Sequence, residues 1–360
     1  MRSKLNIVRA GSACPLFAKL ATLAFALAFT FSCSSPGGGG GTSGGGSSSS
    51  GNDGNTSSPS GSGMEWTAVA NSPFTNTITA ITYGGDKFVA VGNKGKIAYS
   101  SDGVTWTAVA DSPFDDDINT IAYGNNTFVA GVGYKKIAAS SDGINWTAVD
   151  VISIFDSYVS IAAIAYGNGK FVAGGIGGRM AYSTDGVNWT AVADSKFESG
   201  DKITGIAYGN NTFVAKGGYN KMATSTDGKN WTAVNVSNIF GTEGHINAIA
   251  YVNSKFVVMG WDDDIKGKMA TSTDGKNWTA VTNSSIDLLF NIYTIAFGNG
   301  TFVAVGGNGK MAYSTDGVIW TALDVSSIFG GSSITAIVYG NGTFVAGSQN
   351  GKIAYSTDVN

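Results

Sequence analysis

The chain has 360 residues, 43% of them hydrophobic and only 13% charged, with 52 Gly and 5 Pro. That balance excludes a disordered or helix-dominated chain and suits short strands joined by tight turns. The formal charge of -3 becomes -7 once the four bases of the first 33 residues are set apart, so the basic stripe that nucleic acid requires is missing.

Arg2, Lys4, Arg9 and Lys19 precede an apolar run over residues 20–31. Twelve residues fall short of the roughly 20 that a spanning helix needs, so residues 1–33 read as an export signal. Ser32-Cys33-Ser34 follows, and a Cys at this place resembles a bacterial lipoprotein signal. That resemblance implies lipidation of Cys33 and attachment to the cell envelope, at the outer membrane or cell surface; ordinary secretion is the alternative. Residues 34–63 are almost wholly Gly and Ser, a composition that cannot bury a core and behaves as a flexible tether with a span of roughly 30 Å. Cys14 and Cys33 are the only cysteines, so residues 64–360 hold no disulfide, thiolate metal site or thiol nucleophile.

From residue 64 a unit recurs. Trp-Thr-Ala falls at Trp66, Trp106, Trp146, Trp189, Trp231, Trp278 and Trp320, spaced by 40, 40, 43, 42, 47 and 42 residues. A period of that size marks a solenoid, a propeller or an array. Within the first unit, runs at 78–83, 87–91, 96–100 and 105–110 are rich in β-branched and aromatic residues and are bounded by Gly, Asn or Asp, the mark of strands in hairpins. Asp102-Gly103 is a hairpin signal, because Gly accepts a positive φ.

Runs such as Phe171-Val172-Ala173 and Phe302-Val303-Ala304 are apolar on both faces and must be covered on both. Radially stacked four-stranded sheets do this; a flat solenoid would need capping repeats, and none is visible. The chain ends on a third run, 352–358, and the repeats begin with an orphan fourth run, 65–69. Joining them predicts an all-β, seven-bladed β-propeller of four-stranded antiparallel blades over residues 64–360, closed by pairing strand 64–70 with the C-terminal strands. Tyr83, Tyr123, Tyr166, Tyr208, Tyr251, Phe297 and Tyr339 end the first strands beside smaller residues, which suits wedge packing. Phe74, Phe114, Phe155, Phe197, Phe240, Phe290 and Phe329 recur in the links, as plugs between blades or as stacking platforms for sugar rings.

Ser-x-Asp-Gly-x-x-Trp resembles the Asp-box (BNR) repeat of bacterial sialidases and many other propellers. The resemblance implies that Asp102, Asp142, Asp185, Asp227, Asp274, Asp316 and Asp358 accept hydrogen bonds from the turn backbone, with the aromatic beneath, on the face away from any active site. One residue fewer separates Asp from Trp than in the common pattern. Sialidase activity is not implied: its Arg cluster cannot be built from Arg179, the one Arg after the N-terminus, and Glu is limited to Glu65, Glu198 and Glu243. His245 is the only His and lies in a link. No enzyme and no cofactor are expected.

Two features are candidates for binding. Lys96, Lys136, Arg179, Lys221, Lys268, Lys310 and Lys352 open the third strands, on the face opposite the Asp turns, either as a shallow ligand ring or as caps and ion-pair partners. The fifth unit has a longer loop, 260–267, with Trp261, the only Trp outside the repeat, and Asp262, Asp263 and Asp264 as a weak metal candidate; Asp115–Asp117 reads as a solvated run. The expectation is a lipid-anchored, monomeric, extracytoplasmic module that binds a protein partner in an adhesin or assembly role. A lectin-like glycan binder is the alternative, and a glycoside-active enzyme ranks last.

Overall fold

The computed structural model describes residues 27–28, 64–133, 136–155, 160–282 and 291–357. Cys33, the tether, Phe290 and Asp358 lie outside the described residues. Seven four-stranded antiparallel sheets form a ring, a seven-bladed β-propeller. Blade one runs Ile78–Gly84, Lys87–Gly92, Ile97–Ser100 and Thr107–Ala108, hydrogen-bonded in that order. The first strands touch one another in a closed circle, so they line the axis. In blade seven, Ile334–Gly340, Thr343–Ser348 and Ile353–Thr357 are completed by Thr67–Ala68 from the other end of the repeats, with Thr67 opposite Tyr355 and Ala68 opposite Ala354. Leu27–Ala28 lies as a short parallel strand on Gly205–Gly209, the innermost strand of blade four; these residues precede Cys33, so a chain processed at that cysteine would keep the seven blades and lose this strand.

The outermost strands are shorter than the runs in the sequence: two residues in blade one, where six were expected. They have one neighbour only and are exposed, so ladder pairing stops where the chain bends away into the link. Two links form single helical turns, Ser237–Phe240 and Ser326–Phe329, where the backbone N–H groups of Ser237 and Ser326 donate to Asn235 and Asp324 at 2.9 and 3.0 Å.

Inner and second strands are buried on both faces; in Ile78–Gly84 every residue is buried except half-buried Tyr83. An apolar core lies between each pair of neighbouring blades, the last and first included. Each repeated Trp belongs to the core shared with the preceding blade; Trp146, for example, lies in the same core as Val89 and Ile97 of blade one. Of the link phenylalanines, Phe74, Phe114, Phe155, Phe240 and Phe329 are buried, the arrangement of plugs between blades.

A second contact recurs nearer the axis. The Tyr ending each first strand lies flat over the terminal Gly of the preceding blade's first strand: Tyr123 over Gly84, Tyr166 over Gly124, Tyr208 over Gly167, Tyr251 over Gly209, Tyr339 over Gly298 and Tyr83 over Gly340. A Cβ on any of these Gly would stand 2.0–2.2 Å from the ring. Blade five departs from this, ending its strand in buried Val252, and the ring beside it is the smaller Phe297.

The Asp turns share one construction. Asp185 Oδ1 accepts from the N–H of Val187 and Asn188 at 2.9 and 2.7 Å, while Ser183 Oγ accepts from Gly186 N at 2.9 Å. Trp189 Nε1 donates to the Gly186 carbonyl at 3.0 Å, so the indole seals the turn. Asp102, Asp142, Asp227, Asp274 and Asp316 repeat the carboxylate bonds. Burial by itself pushes the Asp142, Asp185 and Asp227 carboxyls up, but the N–H, Asn and Ser donors outweigh it and hold them well below the usual carboxylate range. In Asp274 the Asn277 N–H is the leading cause of the same shift. Because each folded carboxyl titrates below its unfolded value of 3.8, this stabilisation is complete above that pH and is lost progressively as pH falls from there towards the lower folded value. Melting temperature is therefore expected to drop steeply between pH 4 and pH 2; a flat profile there would contradict the turn chemistry.

Candidate functional site

Links and second-to-third-strand loops share one face of the ring. The Asp turns share the other with the first hairpin tips, where Asn168 and Asn210 reach the carbonyls of Thr226 and Thr273. The basic ring lies on the link face, and its members differ. Lys221 pairs with Asp201 at 2.9 Å and Glu198 at 3.2 Å, and Lys268 pairs with Asp262 at 3.1 Å. Lys352 donates to the Ile328 carbonyl at 2.6 Å and Arg179 to that of Ile154 at 3.3 Å. These cations tie their strands to the preceding link or to a nearby acid. Lys96, Lys136 and Lys310 are exposed. A shallow groove of about 250 Å³ lies by Arg179, Asp194, Ser195 and half-buried Phe197.

The three acids of the blade-five loop do not converge. Asp262 faces Lys268, Asp263 accepts from the N–H of Thr242 and Glu243 at 3.2 and 2.8 Å, and Asp264 pairs with Lys266 at 3.2 Å. Among the described residues no cluster of three metal-ligating side chains is found.

Trp261 sits in a different kind of place. It lies opposite His245 across the first hairpin of blade five, and the two rings stack with centroids 5.3 Å apart at 21°. Tyr219, from the blade-four loop, reaches His245 at 5.8 Å. Tyr219 is 57% exposed and adopts φ 56°, where the matching positions of blades one, three and six hold Lys94, Gly177 and Asn308; in the sequence, blade two also has a tyrosine there, Tyr134. A bulky residue in that region costs on the order of 1 kcal/mol and is a pointer to function. His245 Nδ1 lies 3.2 Å from Asn247 Oδ1. Burial is the main cause holding the imidazole below its usual value, with Lys216 adding repulsion.

Lys216 is the feature that sequence reading missed. It is 4% exposed and occupies the place of Val91, Gly131, Gly174, Met259, Val305 and Gly347 in the other blades. Its Nζ donates to Thr204 Oγ1 at 2.8 Å and to the Ile246 carbonyl of blade five at 3.1 Å. Thr79, Asn119 and Thr335 make the corresponding bond to the next blade's Ile118, Ile161 and Ile78 carbonyls. A Cβ on Gly205 would meet Lys216 Cε at 3.0 Å, so Gly at that position makes room for the stem. Burial pushes the amine down to about 7. The available signal was a charge in an otherwise apolar Phe-Val-Ala-x run.

No family model and no curated protein matches the chain. Solved structures do. YCF48 bound to D1 peptide is 18% identical, with 82% of this chain and 97% of that chain covered and a TM-score of 0.62. YCF48 from Cyanidioschyzon merolae is 17% identical over 81% and 98%, with a TM-score of 0.60. Virginiamycin B lyase from Staphylococcus aureus is 15% identical over 82% and 99%, with a TM-score of 0.65. The likeness is one of fold. Binding proteins and an enzyme share that ring, so function must be argued from the site.

Proposed function

We propose that this chain is a membrane-anchored, extracytoplasmic recognition propeller that binds a protein partner in an adhesin or assembly-type role, without catalysis of its own. The observation that carries this reading is the gathering of Tyr219 with two side chains that no other blade has, His245 and Trp261, on the link face of one seam. A structural neighbour, YCF48, is bound to a peptide, which supports a ring of this kind holding a polypeptide. His245 is engaged by Asn247 and by two rings, which argues against a general base poised beside a nucleophile. The Asp-box resemblance supports the turn Asp as structural, and Cys33 supplies the anchor.

Partner capture from native envelopes tests the protein-binding reading, with a glycan array as the counter-test. Specific protein capture with no glycan bound at millimolar ligand is the expected result; the reverse pattern would replace the reading with a lectin. For the anchor, Cys33→Ala is expected to move the propeller from the membrane to the soluble fraction, and retention on membranes would overturn it.

A further inference from the structure

Four departures from the repeat, Gly205, Lys216, His245 and Trp261, meet beside Tyr219 at the seam between blades four and five. Gly205 and Lys216 change together, since the missing Cβ of one admits the stem of the other. Lys216 then holds the Ile246 carbonyl, next to His245 in the strand that carries the ring stack. Ile246 N also donates to the Tyr219 carbonyl at 3.0 Å, so the exposed Tyr and the His–Trp pair are fixed to each other by backbone. Such cross-bracing presents a preformed surface instead of a loose loop.

The electrostatics of that surface are one-sided. Lys216 and His245 are both held towards their neutral forms by burial, so neither puts a full positive charge behind the rings above pH 7. Among the described residues, Asp264 pairs with Lys266 and Asp262 with Lys268, Asp263 and Glu243 add two more carboxylates, and Lys221, two residues from Tyr219, is itself paired with Asp201 and Glu198. Aromatic faces in a negative field attract cations, and a planar guanidinium most of all, because it stacks while donating to carboxylates. An anion would meet repulsion from the same acids.

We propose that the blade-four/blade-five seam docks a cationic side chain, an arginine above all, of an extended segment of the partner protein, stacked on Tyr219 and Trp261. This rests on the protein-binding reading and names the chemistry of the partner. Tyr219 and Trp261 are the binding residues, and Lys216 is a positioning residue that acts through the Ile246 carbonyl.

The test uses the full chain with three synthetic tetrapeptide amides: tetra-arginine, its uncharged isostere tetra-citrulline, and tetra-glutamate. Calorimetry is expected to show tetra-arginine binding at least tenfold tighter than tetra-citrulline, with no binding of tetra-glutamate. Tyr219→Ala and Trp261→Ala should each weaken tetra-arginine at least fivefold, Tyr219→Phe should retain it, and Asp86→Asn on the opposite face should leave it unchanged. Equal binding of arginine and citrulline peptides overturns the proposal, as does an unchanged affinity in both alanine variants with intact melting curves. A partner captured equally by wild type and by the double alanine variant would overturn this site and leave the protein-binding reading standing; absence of any captured partner would count against that reading itself.

Discussion

Gly167→Ala is expected to destabilise the ring by about 3 kcal/mol, at the severe end of what one inserted methyl does to a packed core. The new Cβ would stand 2.0 Å from Tyr208 Cγ and 2.3 Å from both Cδ atoms, where carbon contacts settle at about 3.5–4 Å. The clash falls at the root of the phenol ring, so spinning the ring about χ2 does not relieve it, and a χ1 change would take the whole ring out of its place between the blades. Blades three and four must part, and in a closed ring that displacement is passed to the remaining seams. A double-mutant cycle decides the mechanism. Tyr208→Ala should cost markedly less stability in the Gly167→Ala background than in wild type, because removing the ring also removes the clash. Equal costs in both backgrounds would mean that the two residues do not press on each other.

The same seam shows what was legible in the sequence and what was not. Periodicity gave away the blade number, and the split fourth run gave away the closure, because strands apolar on both faces have few ways to be covered. The Tyr-Gly pair ending five of the seven first strands was also visible, but a Gly of one blade is covered by the ring of the next, roughly 40 residues on. A contact between repeats is invisible within any one repeat. The link phenylalanines read as plugs are buried wherever the structure describes them, apart from half-buried Phe197.

The candidate site was only partly readable. Trp261 stood out as the one non-repeated indole, whereas His245 read as isolated because Tyr219 lies 26 residues before it in the sequence and meets it only across a seam. The basic ring looked like one feature and is several: Lys221 and Lys268 meet acids, while Arg179 and Lys352 meet link carbonyls. In a repeat protein the shared positions specify the ring, and the chemistry collects where one blade breaks the pattern. Comparing the seven copies position by position is what exposes Lys216.

Lys216→Met is expected to raise stability at pH 7 by about 2 kcal/mol and to erase a pH dependence that the wild type carries. The amine has a reference value of 10.5 and is held near 7 by burial, with two uncharged partners. At 1.36 kcal/mol per unit that difference is worth roughly 5 kcal/mol of disfavoured charge. Against it, Met gives up the bond to the buried Ile246 carbonyl, a loss of about 1–3 kcal/mol. Met is the natural replacement, since Met259 fills this position in blade five and its flexible stem adapts to irregular space. Between the folded and unfolded values the folded amine has lost its proton and the unfolded one keeps it, so wild-type stability climbs as pH rises from about 7 towards 10.5. His245 is also held down, from 6.5, so its contribution is complete above that pH and does not interfere. Urea unfolding at pH 7.5 and pH 9 isolates Lys216: wild type should gain stability across the interval and the Met variant should stay level. A wild type that is flat over the same interval would mean that the folded amine keeps its proton, and the seam would then present a positive charge to any ligand approaching Tyr219 and Trp261.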